Sequence, residues 1–460
     1  MHRRDFLRAG AGAALAQRGR PANVIFILTD DHGQWAMGCY SNREIQTPVL
    51  DRLAAEGARL TRAFAATPVC SPSRATFFTG LMPCHHGIQD WIQEENVGPR
   101  ATRFLDGQTA FTQVLARQGY KCGLIGKWHM GDSATSQQGF SHWFAMPTGG
   151  SRYQDGEMIW HGKTQVYPGY LTEMLTDKAI EFIEQSRPDP FFCYLAYNAP
   201  HTPYEGTPEK YRQIYRDSPL RTFPDEPLNP LNTGLGRANH RKRDSMITYY
   251  AMITAVDEQV GRIVRKLDDL NLRRDTLIVF AGDQGFMCGH HGLWGKGNGS
   301  WPFNMYEESM LIPMIYNQPG RVRPGLVIDA MVNNYDFPAT ILDYLGQPPL
   351  TGASYAPFLE GRKRPWRNTV YGEYQYTRMV RTERWKYVHR TEGFPSELFD
   401  LRSDPGERRN LIDDPGHAAR VRELKADLDR WFAARGCGPD SWKSTRQILP
   451  KYQAQGASRL

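Results

Sequence analysis

The chain has 460 residues, of which 40% are hydrophobic and 23% are charged, a composition typical of a globular protein with a large core. No uncharged apolar run reaches the roughly 18 residues of a membrane span, so the sequence predicts no transmembrane helix. The net charge of +7 comes without a lysine or arginine tract, so it suits an acidic substrate but indicates no nucleic-acid partner. Seven cysteines without a Cys-x-x-Cys pair indicate neither a zinc site nor a disulfide framework.

The first 20 residues are predicted to be an export signal and not part of the fold. Arg3 and Arg4 precede a weakly apolar stretch that ends in Ala14-Leu15-Ala16. This order of charge, apolar run and small-residue cleavage site resembles a bacterial twin-arginine signal, and an ordinary basic N-terminus is the alternative. We therefore expect a folded protein that is exported to the periplasm or secreted.

Helical patterns alternate with buried strand-like runs through most of the chain. This alternation predicts an α/β fold in which a large, mostly parallel sheet is flanked by helices on both faces. The predicted helices span about 48–57, 111–115, 171–185 and 245–270, and the predicted strands span 23–28, 122–126, 191–196 and 276–280.

The pattern changes in the last quarter of the chain. We expect an α/β domain over residues 21–345, a linker over 346–365, a smaller C-terminal subdomain over 366–438 and an unassigned tail over 439–460. Alternating segments at 369–374, 379–389 and 397–401, followed by an amphipathic pattern at 417–434, predict an antiparallel sheet with one helix packed on it. Two stretches, 149–169 and 204–243, are predicted to be long loops that form walls of a substrate pocket.

Polar and ionisable residues follow each predicted strand of the large sheet. Ligands bind beyond the carboxyl ends of strands in such sheets, so we expect these side chains to share one site. Any one of them alone could be a turn or cap residue. The residues are Asp30 and Asp31, Lys127 and His129, His201, and Asp283 and Gln284.

Three of these residues are carboxylates, which predicts a cation site. Like charges brought close together need a cation, and oxygen ligands select Ca²⁺ or Mg²⁺ over zinc. Asp30, Asp31 and Asp283 would supply the charge, and Gln284 could add a carbonyl oxygen. For an isolated Asp-Asp pair, a solvated turn would be the alternative.

The segment Cys70-Ser71-Pro72-Ser73-Arg74 is predicted to begin a short helix that ends at Gly80. Unpaired N–H groups at a helix N-terminus favour an anionic ligand, and Arg74 lies one turn further on. A buried structural cysteine is the alternative for Cys70 considered by itself.

Cys-x-Pro-Ser-Arg resembles the signature of the type I sulfatases of the alkaline phosphatase superfamily. In that family a formylglycine-generating enzyme oxidises the cysteine to formylglycine. The segments Gly126-Lys127-Trp128-His129, Pro200-His201-Thr202-Pro203 and Gly295-Lys296 resemble further motifs of the family, and 397–405 resembles its C-terminal subdomain. The resemblance runs from about Asn23 to Leu411.

The resemblance implies roles for these residues. Hydrated formylglycine at position 70 would attack sulfur and would also be a ligand of calcium, together with the acids named above. Gln284 stands where the family commonly has Asn or His. Lys127 and Lys296 would hold the sulfate, His201 would assist departure of the alcohol, His129 would take a proton from the second hydroxyl, and Arg74 would orient the formylglycine.

We therefore expect a sulfatase that acts on a sulfated glycan or small molecule. The alternatives are a phosphate or phosphonate monoester hydrolase of the same superfamily and a non-catalytic, calcium-stabilised binder of sulfated glycans. The sequence leaves open the sugar, the sulfate position, exo or endo action and the oligomeric state. Further candidates for the pocket wall, each with a structural role as alternative, are His85, His86, Asp90, Trp91, His290 and His291.

Overall fold

Ten strands form one mixed sheet in the computed structural model, which describes residues 22–445 and Gln447. The predicted export signal lies outside these residues. The strands are β1 Asn23–Thr29, β2 Ala58–Leu60, β3 Lys121–Gly126, β4 His142–Ala145, β5 Glu157–Trp160, β6 Lys163–Val166, β7 Phe191–Ala196, β8 Thr276–Gly282, β9 Met314–Asn317 and β10 Leu326–Ile328. From edge to edge the order is β10-β2-β9-β8-β1-β7-β3-β4-β5-β6.

The first strand lies at the centre of the sheet, as expected for a run of apolar residues buried on both faces. Val24 is paired with Phe192 of β7 on one side and with Leu277 of β8 on the other, both in parallel register. The five strands β8-β1-β7-β3-β4 are all parallel, whereas β9, β5 and β6 run antiparallel to their neighbours. The predicted α/β class is confirmed, with antiparallel strands towards both margins of the sheet.

Side chains of β1 alternate between two apolar cores, one on each face of the sheet. Val24, Phe26 and Leu28 pack in one core, and Ile25 and Ile27 pack in the other. Six helices cover the two faces: α1 Pro48–Ala55, α2 Cys70–Thr79, α3 Phe111–Arg117, α4 Leu171–Ser186, α5 Arg243–Asp269 and α6 Phe337–Tyr344. Helices α2, α3 and α6 cover the first face, and helices α1, α4 and α5 cover the second.

The stretch 149–169 is not the continuous loop that the sequence predicted. It contains the hairpin of β5 and β6, which extends the sheet beyond β4. The turn residues His161 and Gly162 both have positive φ, 50° and 72°, as a two-residue hairpin turn requires. The other stretch, 204–243, contains only short helical segments, among them Glu209–Arg212 and Gly234–Asn239.

A separate four-stranded antiparallel sheet carries one helix, α7 (Ala418–Ala433), on one face, as predicted. The predicted strand 379–389 is in fact a hairpin of two strands, because the chain turns between Thr382 and Trp385. The apolar face of α7, including Leu424 and Phe432, packs against the sheet. The elements are β11 Thr369–Tyr374, β12 Thr377–Thr382, β13 Trp385–Arg390, β14 Glu397–Asp400 and α7 Ala418–Ala433.

A disulfide joins Cys84 to Cys437, across a sequence separation of 353 residues. The sequence had indicated no disulfide framework, because cysteine spacing reveals nothing about two residues so far apart along the chain. The bond connects the short helix Pro83–His86, which follows α2, to the segment after α7. In the part of the chain that the structure describes, no helix is long and apolar enough to cross a membrane.

Candidate active site

Cys70 is the first residue of α2, as the motif predicted. Val69 before it is extended, and the helix ends at Gly80, whose φ of +70° is in the left-handed region that favours glycine. Cys70 is only 2% exposed. Burial raises the pKa of its thiol, so an unmodified Cys70 is a protonated, poorly nucleophilic group near neutral pH.

Three carboxylates meet at the carboxyl edge of the sheet. Asp30 and Asp31 follow β1, and Asp283 follows the adjacent strand β8. The backbone N–H of Asp31 donates to Asp283 Oδ1 at 3.3 Å, and Asp31 has a φ of 62°. A left-handed conformation is uncommon for residues other than glycine, although aspartate adopts it more often than most, and such residues cluster at functional sites.

Arg74 of α2 bridges two of these carboxylates. Its Nε lies 2.9 Å and its Nη2 2.8 Å from Asp283 Oδ2, and Nη2 is 3.4 Å from Asp30 Oδ2. Its Nη1 donates to the carbonyl of Lys127 and to the hydroxyl of Tyr194, each at 3.1 Å. All of these side chains are buried, so Arg74 ties the nucleophile helix to the carboxylate cluster.

Two lysines complete the charge balance of the cluster. Lys127, which follows β3, donates to Asp30 Oδ2, and Lys296 Nζ lies 2.6 Å from Asp31 Oδ1. Burial opposes the charge of Lys296, yet Asp31 and its neighbours hold the pKa of that ammonium well above its usual range. Positive charge is thus fixed beside Cys70 and the carboxylates, where an anionic substrate needs it.

The three carboxyl groups differ in their protonation behaviour. Burial alone would raise the pKa of Asp30, but Lys127 and the other cations hold it well below its usual range. Burial raises the pKa of Asp31 to about 6, and burial together with the charge of Asp30 raises that of Asp283 to about 7. A divalent cation would relieve this repulsion and favour the ionised forms.

The oxygen atoms at this edge fit a cation. Among the described residues, Asp30 Oδ1 and Gln284 Oε1 are buried and have no hydrogen-bond partner. The Gln284 amide donates through Nε2 to Asp31 Oδ1 at 2.6 Å, which leaves its carbonyl oxygen available as a ligand. Carboxylate and amide oxygens are the donors that Ca²⁺ and Mg²⁺ prefer. The donor set present here therefore fits the predicted metal.

His129 has a defined tautomer, and neighbouring atoms closely surround its ring. Its Nε2 lies 2.8 Å from the carbonyl of Ile92, and since a carbonyl only accepts, Nε2 carries the proton of the neutral ring. Its Nδ1 is buried and has no hydrogen-bond partner within the described residues. Burial, reinforced by the charge of Lys127, holds the pKa of His129 well below its usual range. The ring therefore presents a lone pair that can accept a proton.

His201 follows β7, which lies between β1 and β3 in the sheet. Its Nδ1 donates to the carbonyl of Thr202, and its Nε2 lies 3.8 Å from Asp31 Oδ2. Its side chain is 22% exposed, more than those of the other site residues described above. Burial lowers its pKa to about 3, so the ring is neutral near pH 7 in this arrangement.

The site also contains residues that sequence reasoning missed. Ser73 Oγ donates to the carbonyl of Asp283, and Asn334, just before α6, donates to Ser73 Oγ at 2.9 Å. Tyr194 is the acceptor for Arg74 described above. The available signal was weak: Ser73 lies inside the motif, and Tyr194 is a hydroxyl within an otherwise apolar strand.

The histidines predicted as candidates for the pocket wall have other partners. His86 is buried with Nε2 3.2 Å from Thr76 Oγ1, and His291 stacks on Tyr306 with ring centres 3.7 Å apart. His85 lies beside the disulfide, and His290 packs against Trp35. Asp90 accepts hydrogen bonds from Tyr374 and Gln375, whereas Trp91 packs against the apolar cluster that contains Cys70.

Several proteins with related sequences are sulfatases. The family model "Sulfatase" matches residues 22–347, and the model "N-sulphoglucosamine sulphohydrolase, C-terminal" matches residues 289–433. An N-acetylglucosamine-6-O-sulfatase of Bacteroides thetaiotaomicron is 29% identical over 88% of this chain and 85% of its own length. An ulvan-active sulfatase of Formosa agariphila is 27% identical over 94% of this chain and 84% of its own length.

Solved structures agree with these sequence matches. A protein solved in complex with its substrate D-glucosamine-2-N,6-O-disulfate superimposes with a TM-score of 0.77 and 26% identity, over 93% of this chain and 99% of that one. A phosphonate monoester hydrolase of Agrobacterium radiobacter shares the fold at a TM-score of 0.71 and 23% identity, over 90% of this chain and 96% of that one. Since the family model spans well over half of the chain, the protein belongs to the sulfatase family of sulfuric ester hydrolases.

Proposed function

We propose that this protein hydrolyses sulfate esters of carbohydrates, with a formylglycine made from Cys70 as nucleophile and a calcium ion bound beside it. The observation that carries the proposal is the position of Cys70 at the start of a buried helix that Arg74 ties to Asp30 and Asp283. A binding protein needs neither this nucleophile motif nor the two histidines.

The metal would be held by Asp30, Asp31, Asp283, Gln284 and the modified residue 70. When bound, calcium supplies positive charge that polarises the nucleophile and stabilises charge on the sulfate oxygens. Magnesium has similar ligand preferences but demands a stricter octahedral geometry.

Hydrated formylglycine would supply two hydroxyl groups on one carbon: one could attack sulfur, and loss of the other's proton would let the aldehyde re-form as sulfate leaves. Lys127 and Lys296 pair with the carboxylates here and provide the positive charge that holds the sulfate group. Arg74 fixes the orientation of α2 and of its first residue.

The two histidines would divide the proton transfers between them. The Nε2 proton of His129 is engaged by the Ile92 carbonyl, so Nδ1 is the atom that would accept the proton of the second hydroxyl. The Nε2 of His201 is directed towards Asp31, and the negative charge of a bound sulfate ester raises the pKa of this ring. His201 can then protonate the departing alcohol.

The relatives suggest which substrate to test first. One is named for 6-O-sulfated N-acetylglucosamine, and a similar structure holds a glucosamine that is sulfated at the 2-N and 6-O positions. We therefore propose a sulfated amino sugar as the substrate class. The Arg3-Arg4 motif supports export of the folded enzyme through the twin-arginine pathway, after a formylglycine-generating enzyme has acted in the cytoplasm.

The decisive experiment compares three substrates on protein made in a host with a formylglycine-generating enzyme. We expect turnover of 6-O-sulfated N-acetylglucosamine and of an aryl sulfate, with much slower turnover of the matching aryl phosphate. The C70A variant should fold normally and show no turnover. Faster hydrolysis of the aryl phosphate would instead indicate the phosphate or phosphonate monoester hydrolase. Full activity of C70A would contradict the proposed nucleophile.

A further inference from the structure

A glutamine near the C-terminus binds the loop that follows the nucleophile helix. Gln447 is 4% exposed. Its Oε1 accepts from the backbone N–H groups of Gln89 and Asp90, both at 2.8 Å. Its Nε2 donates to the carbonyls of Asp90 at 2.7 Å and Trp91 at 3.0 Å. These four hydrogen bonds use both donors and both lone pairs of the amide, so the side chain is saturated by the loop.

The next residue of this loop contacts both the proposed base and the nucleophile helix. The Ile92 carbonyl accepts from His129 Nε2 at 2.8 Å, and the Ile92 N–H donates to Ser71 Oγ at 3.1 Å. Ser71 is adjacent to Cys70. The Ile92 carbonyl, which also accepts from Asn96 Nδ2 at 3.1 Å, therefore sets the tautomer of His129 and helps to fix the direction of its ring.

Other residues in the C-terminal part of the chain also make hydrogen bonds to this loop. Thr445 donates to the carbonyl of Gly87, and Gln447 N–H donates to Thr445 Oγ1 at 3.1 Å. Asp90 accepts from Tyr374 OH at 2.6 Å and from Gln375 Nε2 at 3.1 Å. Gln447 differs from Thr445, Tyr374 and Gln375 because it binds backbone groups of three consecutive residues immediately before Ile92.

We propose that Gln447 is a positioning residue: by holding residues 89–91 it fixes the Ile92 carbonyl, and through that carbonyl it orients His129 for proton transfer. The inference rests on the proposed function, since it assigns the base role to His129. It places one determinant of the active site more than 300 residues away in sequence from the histidine that it serves.

The test uses the full-length matured enzyme and the Q447M variant, in which methionine keeps the approximate volume but forms none of the four hydrogen bonds. We expect kcat for an aryl sulfate to fall about tenfold or more while KM changes little, because a small misplacement of a reacting group affects the chemical step. The Q165M variant, a matched change of an exposed glutamine in β6, should leave both constants unchanged.

Two further readouts separate positioning from general stability. Hydrogen exchange of the peptide spanning residues 87–92 should accelerate in Q447M, while the rest of the described chain keeps its protection. In an H129A background, the Q447M change should not lower the residual turnover further, since Gln447 acts on turnover only through His129.

The inference is overturned if Q447M keeps the wild-type kcat, if its loss lies in KM alone, or if H129A leaves the effect of Q447M undiminished. Unchanged exchange of 87–92 would likewise show that the four hydrogen bonds do not hold the loop. If instead the matured wild-type enzyme turns over no sulfate ester, the proposed function fails, whereas the exchange experiment still tests the contact between Gln447 and the loop.

Discussion

At the scale of single residues, the side chains of the site are tightly enclosed by their neighbours. The ring of His129 lies against Gly149 so closely that a Cβ at position 149 would be 2.2 Å from both Cε1 and Nε2. His129 itself has a φ of 55°, a conformation that few non-glycine residues adopt. The neighbouring backbone, and not only hydrogen bonds, therefore holds the ring in place.

The G149A variant tests this enclosure. The added methyl group must displace the His129 ring, so we expect kcat to fall by up to about 100-fold with a small effect on KM. The matched control is G150A, where a Cβ would meet nothing nearer than His201 Cε1 at 4.0 Å. Equal activities of G149A and G150A in steady-state assays would contradict the close packing of His129.

Removal of calcium tests the carboxylate cluster. Burial raises the pKa of Asp31 to about 6 and, with the charge of Asp30, that of Asp283 to about 7. We expect a chelator to abolish turnover and to lower the melting temperature, and added Ca²⁺ to restore both. The Q284A variant should need a higher Ca²⁺ concentration for half-maximal activity. Activity that persists after exhaustive chelation would rule out the metal's role.

At the scale of secondary structure, α2 is held by a buried neutral histidine. His86 Nδ1 accepts from the N–H of Ile88 at 3.2 Å, and its Nε2 lies 3.2 Å from Thr76 Oγ1 in the helix. Burial lowers the pKa of His86 to about 3, from an ordinary value of 6.5. Between pH 6.5 and 3, His86 therefore takes up a proton more readily in the unfolded chain than in the folded protein.

It follows that His86 makes the protein less stable in acid. Its contribution is fully present above pH 6.5 and is lost as the pH falls below that value, by about 2 kcal/mol between pH 7.5 and pH 5. Denaturant unfolding at the two pH values should show this loss for the wild type and a smaller loss for H86Q, which cannot titrate. Identical pH dependence of the two proteins would show that His86 is not the responsible group.

Local patterns predict the elements that surround the site but not the contacts between distant segments. The run of apolar residues in β1 predicts a buried strand, and the Cys70 motif predicts the start of a helix. Both can be predicted because each signal depends only on neighbouring residues. Because ligands bind beyond the carboxyl ends of the strands in such sheets, Asp30 and Asp283 are also predicted to lie together. By contrast, the β5–β6 hairpin has only four-residue strands, and nothing near Gln447 in the sequence indicates its partner loop.

At the scale of the whole molecule, the C-terminal part of the chain is attached to the segment after the nucleophile helix at several points. The disulfide joins Cys84 to Cys437, and the Cys84 N–H also donates to Glu373 Oε2 at 2.8 Å. The buried Glu373 pairs in turn with Arg378. The small sheet is therefore fastened directly to the elements that carry the site.

Removal of the disulfide tests the importance of this attachment. The C84A/C437A double variant should lose about 2 to 5 kcal/mol in its free energy of unfolding, because the bond restricts a very long loop in the unfolded chain. The C122A variant, which removes a free buried cysteine, is a control for loss of a small core side chain. Equal denaturant midpoints for the double variant and the wild type would contradict this expectation.

The most direct test of the central claim is peptide mass spectrometry of residue 70, on protein produced in a host that matures other sulfatases. We predict that the peptide containing residue 70 is lighter by about 18 Da than its sequence requires, the difference between a thiol and an aldehyde side chain. An unmodified thiol at Cys70 in that host would contradict the account and would favour a protein that binds sulfated glycans without hydrolysing them.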